Sequence, residues 1–177
     1  MVWRSPGTVI AIILIVAAID FPLALPILPA RALATVPLQA MNYNLGETIG
    51  WPQLVATVAH IYRSLPPAER SSTTIVTGNY GEAGALDRYG SSFGLPQVYS
   101  GHNNYWWWGS PKPATGTTIA VGLASPMLRH YFGSVVLAER FHNAEGVDND
   151  EEGTYIWLCR EQKKPWPAIW GQFRHYD

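Results

Sequence analysis

The chain has 177 residues, 47 % of them hydrophobic, and a formal net charge of −1. So near-neutral a balance gives no field that would gather nucleic acid, which excludes it as an expected partner. The single cysteine, Cys159, excludes an internal disulfide, and its apolar neighbours Ile156, Trp157 and Leu158 make it a small core side chain.

The first forty residues are far more apolar than the rest. Thr8 to Ala30 reads TVIAIILIVAAIDFPLALPILPA, 23 residues with one charge, Asp20, and flanking Arg4 and Arg31. At about 1.5 Å per residue this reaches across a hydrocarbon core of about 30 Å, so residues 1–30 are expected to form a transmembrane helix. Asp20, Pro22, Pro26 and Pro29 are costly in a lone span, which points to the last helix of a larger membrane core. A secretory signal competes, with Ala32-Leu33-Ala34 as its cleavage site. On both readings residues 49–177 lie outside the cytoplasm behind a linker at 31–48. The expected location is the cell membrane, with one span, membrane lipid as a partner and an extracytoplasmic domain.

Beyond the linker, Trp51 to Leu65 places Leu54, Val55, Val58, Ile61 and Tyr62 at helical spacing, and Pro66-Pro67 ends that helix. Thr73–Thr77 is a β-branched strand bounded by glycine, followed by a helix over Glu82–Tyr89 and a short strand at Gln97–Tyr99. Thr117–Val121 is a second strong strand, Pro126–Phe132 a short helix, Val135–Phe141 and Tyr155–Cys159 two more strands, and Trp166–Phe173 a closing helix. The alternation predicts a small three-layer α/β domain with a mostly parallel sheet. The last two strands lack a helix between them and are expected as an antiparallel pair at one side.

Three segments carry candidate chemistry. The turn Gly78-Asn79-Tyr80-Gly81-Glu82-Ala83-Gly84 follows a strand and opens a helix as phosphate loops do, but the dinucleotide spacing fails and Glu82 would repel a phosphate. Glu82, Asp87 and Arg88 are suited to acid–base work or to an exposed helix face. Tyr99-Ser100-Gly101-His102-Asn103-Asn104-Tyr105-Trp106-Trp107-Trp108-Gly109 sits after a short strand, where open α/β sheets place ligands. Flat rings beside amide and imidazole donors suit a sugar. Three consecutive tryptophans cannot share one face of a strand, so at least some of them pack into the core or against the membrane surface, where Trp is favoured. Asp148 to Gly153 opens like a calcium loop, yet Cys159 stands where a bidentate Glu is needed, leaving a solvated acidic turn. The five histidines show no zinc spacing, so neither metal nor cofactor is expected.

Ile49-Gly50-Trp51, Tyr62-Arg63-Ser64-Leu65-Pro66-Pro67, Gly78 to Asp87, Gly94-Leu95-Pro96, Tyr99 to Trp106 and His175-Tyr176-Asp177 together resemble the C-terminal region of bacterial membrane glycosyltransferases of family 39, similar to protein mannosyltransferases and aminoarabinose transferases. The resemblance covers essentially the whole chain. It implies a polyprenyl-phosphate sugar donor and a catalytic membrane core that this chain lacks, hence no turnover by the chain alone. The expected role is an accessory domain contacting a lipid-linked sugar or glycan acceptor through Glu82, Asp87, His102, Asn103, Tyr105 and Trp106. An exported carbohydrate-binding module and a purely structural domain capping the membrane bundle are the alternatives.

Overall fold

The structure is a computed structural model that describes residues 5–25, 27–35, 42–112 and 116–176, with only the backbone of residue 23. Arg4, Pro26 and Asp177, named above, lie outside the described residues. The chain divides into two compact units, residues 1–49 with 145–150 and residues 50–144 with 151–177.

The first unit holds helix α1, Pro6–Ala24, capped by the Ser5 side chain, and the short helix α2, Ala30–Leu33. Among the described residues no helix is long and apolar enough to cross a membrane. The stretch Thr8–Ala30 is not one continuous helix. It carries Asp20 and Pro22 in its last turns, leaves helical geometry at Leu25 (φ −118°, ψ 142°), and only Pro29 starts the next helix. The transmembrane helix expected at 1–30 is therefore corrected. So is the single-span membrane location built on it. A small apolar cluster of Leu33, Leu45 and Val147 with Ile49 closes this unit, and the Asn149 amide donates to the Gly46 and Ile49 carbonyls at 3.0 and 2.9 Å. The acidic turn is tied here as well, since the Tyr43 hydroxyl donates to the Asp150 carboxylate.

The second unit is built on a five-stranded sheet. Strands β1 (Thr74–Thr77), β2 (Val98–Ser100), β3 (Thr118–Val121), β4 (Phe132–Arg140) and β5 (Tyr155–Gln162) lie in the order β2-β1-β3-β5-β4. β1 is parallel to β2 and to β3, while β5 runs antiparallel to both β3 and β4. The sheet is thus mixed, which corrects the mostly parallel one expected. Without a crossover helix after β4, the chain can return only as an antiparallel neighbour, and β5 inserts between β4 and β3.

Period-two alternation sorts the sheet residues between two cores. Ile75, Ile119, Val121 and Ile156 face α3 (Trp51–Ser64) and, beyond the short helix α4 (Pro67–Arg70) in sequence, α5 (Tyr80–Gly90), whereas Val76, Ala120 and Cys159 face the opposite layer of Leu128, Phe132, Trp166, Ile169, Trp170 and Phe173. Helices on both faces make this an α/β arrangement. α3 buries Leu54, Val55, Val58, Ala59 and Ile61, each large aliphatic contributing about 1.5–3 kcal/mol relative to exposure. Helix α6 (Ser125–Tyr131) leads straight into β4. The closing segment is helix α7 (Trp166–Ile169) and a 3-10 turn at Trp170–Phe173 rather than one helix. Burial pushes the Cys159 thiol up to about 12, in keeping with a core side chain.

Candidate functional site

Each parallel strand ends in glycine: Thr77 is followed by Gly78, Ser100 by Gly101 and Val121 by Gly122. Thr77 is in register with both Ser100 and Val121, so the three glycines form a row along the carboxyl edge of the sheet. Close approach explains all three, a Cβ on Gly78 lying 2.7 Å from the Gly122 carbonyl oxygen. A Cβ on Gly101 would lie 1.9 Å from the Phe173 carbonyl oxygen, and one on Gly122, where φ is +67°, would lie 2.1 Å from Glu82 Oε1. Beside this row opens a cleft of about 430 Å³, lined by Gly78, Asn79, His102, Gly122, Arg174 and His175, with Leu123 and Met127 on its apolar side. From β1 the chain goes to β2 on one side, and β3 then lies on the other. The cleft therefore occupies the topological switch point, where open α/β sheets hold ligands.

Glu82 lies beneath this floor. Asn79 Oδ1 accepts the Glu82 amide at 2.7 Å and Glu82 Oε2 accepts the Asn79 amide at 3.0 Å, a reciprocal capping box at the start of α5. The side chain is 2 % exposed. Burial raises its pKa to about 7, against the pull of hydrogen bonds from the Asn79 and Gly78 amides. Its carboxyl group thus occupies the amides that a phosphate loop would offer, which is the physical reason this turn resembles such a loop without the matching sequence spacing.

His102 extends β2 and stands at the cleft. Its Nδ1 accepts the Tyr80 amide at 3.3 Å, and its Nε2 lies 2.9 Å from Asn103 Nδ2. The residue facing it is His175. The two rings stack, centroids 4.6 Å apart, and the backbones form a parallel bridge with His175 donating to Gly101 O at 3.2 Å and Asn103 donating to His175 O at 3.0 Å. His175 Nδ1 is 2.8 Å from Phe173 O and Nε2 is 2.8 Å from Gly78 O. Carbonyls only accept, so making both bonds together requires an N–H on each ring nitrogen. Asn103 adopts φ +53°, a left-handed conformation that asparagine tolerates better than most residues.

The segment after His102 is a 3-10 helix, Asn103–Trp108. Tyr105 packs toward the α3–α5 core, and its hydroxyl donates to Asp87 Oδ2 at 2.8 Å. Burial and that carboxylate hold the phenol well above its ordinary value. Trp106 packs into the opposite core, with Nε1 donating to Trp170 O at 3.4 Å. Trp107 and Trp108 are 64 % and 66 % exposed. The Arg174 guanidinium lies over the Trp106 and Trp107 rings, 4.5 and 4.8 Å from their centroids.

Of the six residues predicted from sequence, His102 lines the cleft, Glu82 lies under its floor and Asn103 holds the imidazole. Asp87 and Tyr105 form a separate pair, and Trp106 is half-buried against the core beneath Arg174. The sequence reading missed Gly122 and Arg174, and placed His175 only within the resemblance. The signal that could have found Gly122 is the repetition of glycine after each of the three short parallel strands, whereas nothing local marks Arg174. Among the described residues no group of three or more His, Cys, Asp or Glu is arranged to hold a metal ion. The chain matches no family model, no curated protein and no solved structure.

Proposed function

We propose that this domain is a sugar-binding accessory portion of a glycosyltransferase that uses a polyprenyl-phosphate-linked donor, without turnover of its own. One observation carries the reading. At the switch point of the sheet, a short 3-10 turn presents exposed tryptophan beside a cleft lined by the Asn79 amide, Gln172 and the Arg174 guanidinium. Ring faces next to fixed hydrogen-bonding groups suit the C–H face and hydroxyls of a sugar. The resemblance of Gly78 to Asp87 and of Tyr99 to Trp106 to glycosyltransferases of family 39 supports the same class. A separate catalytic core would hold the donor, while this domain contacts the glycan acceptor or the sugar of the lipid-linked donor.

A second reading, a structural domain without ligand, is favoured by one feature: the ring nitrogens of His102 and His175 already bond within the protein. Titration with glycans and with polyprenyl-phosphate sugar, followed by tryptophan fluorescence, separates the two. A saturable change that is weakened in Arg174→Ala and His102→Ala, with the fold retained by circular dichroism, is the expected result. A flat signal in the parent protein across both ligand sets would overturn the sugar-binding reading.

A further inference from the structure

We infer that the 3-10 turn carries a second sugar subsite, formed by Trp108 with the Tyr105–Asp87 pair, so that the ligand is an oligosaccharide laid across the turn rather than a single sugar. This rests on the sugar-binding reading above and extends it to the length of the ligand.

A 3-10 helix has three residues per turn, so side chains three apart eclipse and neighbours diverge by about 120°. Tyr105 and Trp108 obey this, their ring centroids 4.3 Å apart. Trp107 turns away and meets Arg174 at the cleft. One short turn therefore points its two exposed tryptophans to different places, the first to the cleft and the second toward α5. Both remain about two-thirds uncovered, at 64 % and 66 % exposure, although burying an aromatic of this size is strongly favourable. Paired exposed rings beside polar groups mark a ligand surface more than a packing remnant.

The chemistry around Trp108 matches a sugar. The Tyr105 hydroxyl donates a hydrogen bond to Asp87 Oδ2, which leaves the phenol oxygen and the other carboxylate oxygen to accept sugar hydroxyls. Position 84 is glycine, and a Cβ there would lie 3.8 Å from the Tyr105 hydroxyl, so the absence of a side chain at this position leaves that side of the hydroxyl uncrowded by residue 84. A flat ring beside a carboxylate and a hydroxyl offers a sugar a stacking face and hydrogen-bond acceptors, where the cleft offers an amide and a guanidinium.

The test is isothermal titration of the intact protein with ladders of neutral β-1,4-glucose, β-1,4-N-acetylglucosamine and α-linked mannose, from monosaccharide to hexasaccharide. Affinity is expected to rise about tenfold between the shortest and longest members of the ladder that binds. Trp108→Ala should abolish that rise and leave monosaccharide affinity within about twofold, whereas Trp107→Ala should weaken every length. Thermal melts of both variants check that the fold is kept. Monosaccharide binding with no gain along the ladder, or a gain that persists in Trp108→Ala, overturns the second subsite and leaves the sugar-binding reading standing. No binding by any member sinks that reading itself, and self-association that Trp108→Ala removes would assign the ring to a protein contact and overturn the subsite.

Discussion

The imidazole of His175 lies flat on that of His102, 15° between the planes, and its Nε2 reaches the carbonyl of Gly78 at the end of β1. One side chain near the C-terminus thereby ties the strap at Phe173–Tyr176 to both β1 and β2. Replacing His175 with alanine removes the ring's hydrogen bonding to the Phe173 and Gly78 carbonyls and one ring contact, a loss of about 2 kcal/mol. Urea unfolding should show it. His102 then loses its cover, and faster amide exchange at Gly101 and Asn103 is expected alongside.

Gly122→Ala should be more damaging than an ordinary glycine substitution. The new methyl meets the buried Glu82 carboxyl at 2.1 Å in a left-handed backbone, and neither can yield without breaking the capping box. A cost of about 2–4 kcal/mol is expected. Gly171→Ala, where a Cβ would meet nothing within 4 Å, is the control and should change stability by less than about 1 kcal/mol.

Glu82 makes stability depend on pH in a defined direction. Its pKa rises from 4.5 in the unfolded chain to about 7 in the folded one, so between those values the folded state holds the extra proton. The contribution of this carboxyl to stability is then fullest below about pH 4.5 and is lost as pH climbs through 7. Glu82→Gln, which keeps a capping group, removes the dependence. The stability of the parent relative to this variant should fall by roughly 2–3 kcal/mol from pH 5 to pH 8 in chemical denaturation. A constant difference would show that the carboxyl is not strongly desolvated.

Tyr105→Phe deletes the hydroxyl donated to Asp87 while keeping the ring under Trp108. The expected loss is about 1 kcal/mol, because Asp87 is exposed and water replaces its partner. Ligand response in the cleft should be unchanged. A fall in cleft affinity in this variant would mean that the two tryptophan faces act as one site.

Much of the fold was readable in local pattern. The burial of Leu54, Val55, Val58 and Ile61 follows from helical spacing. The β-branched runs at Thr74–Thr77 and Thr118–Val121 became central strands because both of their faces meet apolar layers. The N-terminal segment was misread for a physical reason as well. Hydrophobic composition adds up over a window, whereas a helix is broken by single residues, and the chain leaves helical geometry at Leu25. The candidate site was legible only in part. His102 and Glu82 lie at strand ends that composition marks, but nothing local distinguishes Trp106, which is half-buried against the core, from the exposed Trp107 and Trp108.

By itself the sequence determined roughly where the strands and the two main helices of the second unit fall, that glycine follows three strands, and that an unusual density of aromatic rings comes after the second. Spacing and rotamer preference act over a few residues, which is why a linear reading reaches that far. Tertiary structure decided the rest: the order β2-β1-β3-β5-β4, the pairing of His102 with His175 seventy-three positions later, and the burial of Glu82 beneath Gly122. Those are contacts between distant parts of the chain, and their energies exist only once the sheet has brought the strand ends into one row.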